Sequence, residues 1–272
     1  MSMAGKLIAE KVLEVAFFKT DGQAIFNSDD VSNYKCSVTT EEKEKVDAHD
    51  NVVSKTYTGK KADITFDTTF YTPAIFAAID GTEVTEASAT NKIKSMFRDS
   101  ITVGSAEDGS VNTAITLTHT PVGITGSEVD RIYIEKSDKT LGESFAVSQT
   151  ADATHFTVDA STKTITLPIG ANITADTVIT VYYEFESENG VTWSNETEAE
   201  PISGRFVVFV QYKDICDKSK KFIGTEEFPS CVLSPNTERG VGADTTYSVA
   251  LTATKDYCSK GGRLYTVTIP GE

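Results

Sequence analysis

The sequence predicts a mainly β protein with one short helix and a β-sandwich module inserted into a larger β domain. Three observations lead there. Thr and Val are abundant while Met is scarce, and branched side chains fit a pleated surface better than a helical turn. Runs such as 61–67 (KADITFD) and 246–255 (TYSVALTATK) alternate apolar and polar residues, the period of a half-buried strand. Between 117 and 186 the strand-like runs shorten and turn residues recur about every eight to twelve positions, the pattern of an all-β sandwich.

Each element follows from local sequence. Residues 7–18 carry too dense an apolar set (Val12, Leu13, Val15, Ala16, Phe17, Phe18) for one helical stripe, so a strand is expected. Asp21 and Gly22 signal a turn, and 35–40 a weakly alternating strand. The stretch 40–51 (TEEKEKVDAHDN) is polar and carries both charge signs. It reads as a loop with residual helix. A long loop in a compact domain is usually functional or disordered, and the functional option here is contact with a neighbouring subunit. In 61–67, Ala62, Ile64 and Phe66 share one face. Thr72 then suits a helix cap, Pro73 the first helical position and Gly81 the end. Ile75, Phe76 and Ile79 share a face of that helix, which is barely two turns long and is stable only when buried against a sheet.

Strands are expected over 91–103 and 114–119, and Pro121 breaks the second. The inserted module supplies candidates at 131–135, 145–148, 155–158, 164–167 and 178–185, with a turn at 159–163. It lacks a Cys…Trp…Cys framework, so any Ig-like likeness is architectural only. The most apolar run, 204–212 (GRFVVFVQY), belongs in the centre of a sheet. Residues 218–221 (KSKK) read as a solvated turn, and 226–235 as a strand followed by a break. In 246–255, Tyr247, Val249 and Leu251 face one way, and Ser248, Ala250 and Thr252 the other. Residues 263–269 are expected to pair with that strand through a turn at 258–262. The expected organisation is a discontinuous β domain, 1–116 and 191–272, around an inserted sandwich, 117–190. The insert is the most acidic segment per residue.

Composition excludes several functions. A net charge of −15 repels phosphates and argues against sequence-specific nucleic-acid binding, though acidity suits a protein that lets DNA slide past. No run of eighteen apolar residues occurs, so neither a transmembrane helix nor a membrane partner is expected. The N-terminus lacks a long apolar signal core, so cytoplasmic synthesis is expected. Cys36, Cys216, Cys231 and Cys258 match no zinc or redox spacing and read as buried free thiols. His49, His119 and His155 are isolated in sequence. No GxSxG, P-loop or dinucleotide fingerprint is present. The acidic pairs Glu226/Glu227, Glu41/Glu42 and Asp29/Asp30 are adjacent, which on a strand puts their members on opposite faces. No enzyme, catalytic residue, metal site or cofactor is therefore expected. Trp193, Tyr182 and Tyr183 are the best candidates for stacking on a surface glycan, but core packing fits their alternating strands better.

The run 61–81 (KADITFDTTFYTPAIFAAIDG), where a strand leads into a short helix, resembles the tail tube proteins of tailed bacteriophages. Residues 165–170 (ITLPIG) and 181–185 (VYYEF) resemble inserts in phage structural proteins, and 227–235 (EFPSCVLSP) with the 247–255 strand adds to the likeness. The resemblance implies a tail-tube-like β-sandwich or barrel, six copies of which join into a ring. Rings stack into a tube that conducts DNA without sequence-specific binding. The implied partners are copies of the same chain and other virion proteins at the tube ends. The implied location is the virion tail, after synthesis in the host cytoplasm. The implied inter-ring loop is 39–58, with Glu41, Glu42, Lys43, Glu44, Lys45 and Asp47 as its contact candidates. Residues 204–212 and 246–254 are implied lumen strands, with Ser248, Thr252 and Thr254 facing the channel. A capsid decoration protein or another virion-surface binding protein is the alternative.

Overall fold

A computed structural model describes residues 6–170, 172–217, 219–242, 244–255 and 262–270. In chain order, β1 (Leu7–Phe18), β2 (Ala24–Ser28), β3 (Ser32–Val46), β4 (Val52–Thr68) and the helix α1 (Pro73–Ile79) come first. Then follow β5 (Thr85–Glu86), β6 (Ile93–Thr102), β7 (Ala114–Thr116), β8 (Arg131–Glu135), β9 (Leu141–Val147), β10 (His155–Asp159), β11 (Thr164–Thr166), β12 (Val178–Ser187) and β13 (Val191–Thr192). The chain ends with β14 (Ser203–Asp214), β15 (Lys221–Leu233), β16 (Tyr247–Ala253) and β17 (Thr266–Thr268). The protein is mainly β and divides into two compact units, one from 1–84 with 193–272 and one from 85–192.

The larger unit is built on one sheet in the order β2-β1-β14-β15-β16-β4-β3, with β17 added to β15. The sheet is strongly curled. Phe66 on β4 and Phe206 on β14 are separated by two intervening strands, which in a flat sheet would place them about 14 Å apart. Their rings instead stack with centroids 5.9 Å apart. Phe17, Ile64, Phe66, Phe206, Phe228, Val249 and Leu251 fill the concave side, joined by Ile75, Ala78 and Ile79 of α1. The alternation in β4 and β16 follows the sequence expectation: Ala62, Ile64 and Phe66 are buried, as are Tyr247, Val249 and Leu251. Pro73 opens α1, but Thr72 contributes a backbone carbonyl to Ile75 N and no side-chain cap. Gly81 follows with φ of +77°.

The smaller unit is a sheet in the order β6-β12-β8-β9-β10-β11-β7, plus the two-stranded pair β5-β13. All its pairings are antiparallel except β9 with β10. β6 and β7 stand at opposite ends of the hydrogen-bonded path. Even so, Thr118, two residues past β7, donates its amide to Asp99 on β6 at 2.8 Å. The path therefore folds back on itself, sealing a core around Ile132, Phe145, Phe156, Ile165, Ile179, Val181 and Tyr183.

Several expectations need correction. The inserted unit begins at Thr85, not at residue 117, because β6 pairs with β12 over its whole length, Ile93↔Ser187 to Thr102↔Val178, and β7 pairs with β11. Its far boundary is Thr192 rather than 190. The 39–58 segment is neither loop nor helix: it is the outer part of the β3–β4 hairpin. β17 pairs with β15, Thr225↔Thr268, and not with β16, whose free side is taken by β4. Of the cysteines expected to be buried, Cys231 is, whereas Cys36 is half-buried and Cys216, in the turn after β14, is exposed; Cys258 and Lys218 lie outside the described residues, as does most of the turn expected at 258–262.

Candidate assembly interface

The most unusual feature of the larger unit is the ribbon formed by the outer ends of β3 and β4. Every residue from 37 to 61 is exposed on both faces. The pairing is regular from Glu41↔Thr58 to Lys45↔Ser54. At its root, Thr40 opposes both Gly59 and Lys60, and Gly59 has φ of +63°. That is a bulge of the glycine type, which bends and twists a strand pair. It marks where the ribbon leaves the curled sheet.

Little but its own backbone ladder holds the ribbon. Lys55 bridges Glu42 at 2.5 Å and Glu44 at 2.7 Å, and exposed pairs of this kind contribute little. At the tip, the Asp47 carboxylate accepts the amides of His49 (2.8 Å) and Asn51 (2.9 Å). Those bonds hold its pKa below the ordinary carboxylate value. Val46, Val52, Val53 and Tyr57 are exposed along the ribbon, Val53 and Tyr57 by 66% and 63%. A lone two-stranded hairpin is marginal in water, and an open edge such as the outer side of β3 invites pairing. Glu41, Glu42, Lys43, Glu44 and Lys45 thus lie on an exposed strand, and Asp47 organises its turn.

The second set of sequence candidates lies on the convex face. Ser248 and Thr252 sit on β16 opposite Asp67 and Asp63 of β4. Ser248 donates to Asp67, and Thr252 donates to Asp63 at 3.0 Å. Thr254 lies just beyond the strand, with its amide on Ser230 O at 3.0 Å. Lys61 shares this face and pairs with Asp63 at 3.2 Å, so the face is mixed in charge. Glu226 and Glu227 do point to opposite sides. Glu227 pairs with Arg205, and Glu226 turns inward to accept the Tyr34 hydroxyl at 2.7 Å.

The Tyr34–Glu226 contact joins β3 to β15 across the concave side. Burial, reinforced by Glu226, pushes the Tyr34 phenol far above its ordinary pKa. The same two causes raise Tyr212 and Cys36, and burial pushes the Cys231 thiol up to about 12. Beside the contact, a cavity of about 420 Å³ is lined by 9–12 of β1, Val31 just before β3, 32–34 at its start, Val210 and Glu226. It lies between two incompletely paired strands. β2 covers β1 only from Val15 to Phe18, so the first part of β1 has one neighbour, and β3 has only β4.

Sequence reasoning missed a further cluster in this unit. The buried Asp80 carboxylate accepts Trp193 Nε1 at 3.0 Å, Asn195 Nδ2 at 2.8 Å and the Arg239 guanidinium. Arg239 also lies over the Phe76 ring, 5.2 Å from its centroid. Trp193 is therefore fastened in place and Tyr183 is core, which leaves Tyr182 alone among the stacking candidates exposed. Among the described residues, no helix is long and apolar enough to cross a membrane. No family model matches the chain, and no curated protein is significantly similar to it.

Proposed function

We propose that this chain is a structural subunit that assembles with copies of itself into rings, and that the rings stack into a tube of the tailed-phage tail type through which DNA passes. The observation that carries this reading is the exposed β3–β4 ribbon, together with the incompletely paired edges of β1 and β3 on one curled sheet. Joining such edges between copies satisfies their backbone groups, and head-to-tail contacts that close give rings rather than open filaments. The convex face with Ser248, Thr252, Asp63 and Asp67 is polar and has no apolar stripe along β16, which suits a wall that DNA must pass without sticking.

The test is negative-stain electron microscopy of the purified full chain beside light scattering over a concentration series. Rings or hollow tubes are the expected result. Particles that remain monomeric or trimeric at high concentration refute the tube reading and favour a protein that decorates a capsid.

A further inference from the structure

We infer that Asn189, in the turn between β12 and β13, is a self-modifying site: its side-chain amide cyclises onto the Gly190 nitrogen, and hydrolysis leaves aspartate or isoaspartate in its place. Asn189-Gly190 is the single Asn-Gly pair of the sequence, and both residues are exposed. With no Cβ, glycine leaves the approach to its nitrogen open. The chain also holds three Asp-Gly pairs, which close the same ring with loss of water. In each of those the glycine amide is already engaged: Gly22 N donates to Lys19 O at 3.0 Å, Gly81 N to Ala78 O at 3.3 Å and Gly109 N to Ala106 O at 2.9 Å. Gly190 N, by contrast, donates to no acceptor among the described residues. Carboxylates tether the side-chain amides of Asn27, Asn33, Asn51 and Asn195, and among the described residues nothing tethers that of Asn189.

The turn also activates the attacking nitrogen. Ser187 Oγ accepts the Asn189 amide at 3.2 Å and donates to the Asn189 carbonyl oxygen at 2.6 Å. That carbonyl belongs to the same peptide group as Gly190 N–H, so a short hydrogen bond to its oxygen polarises the group and eases loss of the proton. Gly190 N gives its proton to solvent base and attacks Asn189 Cγ. A C–N bond forms, the Cγ–Nδ2 bond breaks, and the nitrogen takes up a proton and leaves as ammonia. Water then opens the five-membered imide at either carbonyl, with no oxidant or reductant involved. One opening leaves an ordinary aspartate; the other routes the main chain through Cβ and Cγ, one atom longer. The extra atom falls beside the 2.9 Å bond from Ala87 N to Gly190 O and beside the β5–β13 pair, Glu86↔Val191 and Thr85↔Thr192. With two residues on each strand, that pair has little else to hold it and loosens. Either product also adds a negative charge next to Glu188, whose carboxylate Lys92 holds at 2.9 Å.

The test follows the folded full chain in mildly alkaline buffer by peptide mass mapping, with enzymatic methylation marking isoaspartate. Asn189 should convert before any other asparagine, and isoaspartate should appear there before it appears at Asp21, Asp80 or Asp108. Ser187→Ala should slow the conversion about fivefold, the rate equivalent of one ordinary hydrogen bond. Ser187→Thr, which keeps the hydroxyl, should convert at close to the wild-type rate. Ser187→Val matches that variant in shape without the hydroxyl and should convert as slowly as Ser187→Ala, so the comparison survives if one of the variants melts early. As conversion proceeds, the Ala87 amide should exchange with solvent deuterium faster in the wild type and unchanged in Asn189→Ser. An intact Asn189 after another asparagine has converted overturns the inference, and equal rates with and without the hydroxyl at 187 overturn the activation by Ser187. Unchanged exchange at Ala87 after full conversion overturns the loosening of the β5–β13 pair.

Discussion

Asp80→Ala is the most informative single perturbation of the larger unit, and its size follows from the contacts. The carboxylate is 4% exposed and receives three donors, from Trp193, Asn195 and Arg239. Hydrogen bonds to a charged group contribute about 1.5–3 kcal/mol each, but that figure is not simply tripled here. Asn195 is exposed and the Arg239 side chain is 37% exposed, so both recover much of their hydration when the partner leaves. The half-buried Trp193 indole recovers less. The expected loss is about 3 kcal/mol for Asp80→Ala and about 2 kcal/mol for Asp80→Asn, which keeps one acceptor but sets a donor against donors. Trp193 is the sole tryptophan, so its fluorescence in a urea titration reports on this cluster. With a slope of about 1–3 kcal/mol per molar urea, the midpoint should fall by at least about 1 M for the alanine variant. A fall under about 0.3 M refutes the claim that Asp80 fastens this region. In the Asp80→Ala background, Arg239→Ala should cost less than it does alone, because the two share one interaction.

Three other outcomes are expected. Gly204→Ala should cost at least about 2 kcal/mol by the same titration, because a Cβ there would stand 2.0 Å from the Phe18 carbonyl oxygen, which belongs to backbone that cannot rotate away. Tyr34→Phe should cost about 1–2 kcal/mol by leaving Glu226 without its phenol donor, measured by thermal melting, and Glu226→Gln should cost less. Glu135 receives Lys139, Ser100 and Thr180, which depress its pKa from an ordinary 4.5 to about 2. Because the folded value is the lower one, its contribution is complete above about pH 4.5 and is lost as the pH falls towards 2. Glu135→Gln should therefore narrow its melting-temperature deficit against the wild type over that window, and a pH-independent deficit counts against the assignment.

Where burial is one-sided, the fold was legible in the sequence. The 131–135 strand matches β8 at both ends, and the alternations of β4 and β16 were readable because an apolar face opposes a polar one. The ribbon was not, since a strand exposed on both faces carries no period-two hydrophobic signal. What remained were Val46, Val52, Val53 and Tyr57, and Gly59 for the bulge, scattered among charges that suggest a loop. The boundary near 85 was hidden for another reason. β6 alternates like the strands before it, and nothing local reveals that its partner is β12 rather than β4. The Asp80 cluster joins residues up to 159 positions apart, and the only local sign was an acidic residue before a helix-ending glycine, which has a sufficient explanation as a turn.

The place where the chain leaves the larger unit and the place where it returns are stitched together. Thr82 Oγ1 donates to Ser194 O at 3.0 Å, Ile202 N to Ala78 O at 3.0 Å, and Asp80 grips Trp193 and Asn195. Within the smaller unit, the first and last strands also meet, Thr85↔Thr192 and Glu86↔Val191. Each unit thus closes its own seam, and neither borrows a core strand from the other. The junction works as a socket: 85–192 can be exchanged for a different cassette, or for a short linker, without unpicking a single ladder of the host. Sequence change within 85–192 is thereby uncoupled from the strand pairings of the larger unit.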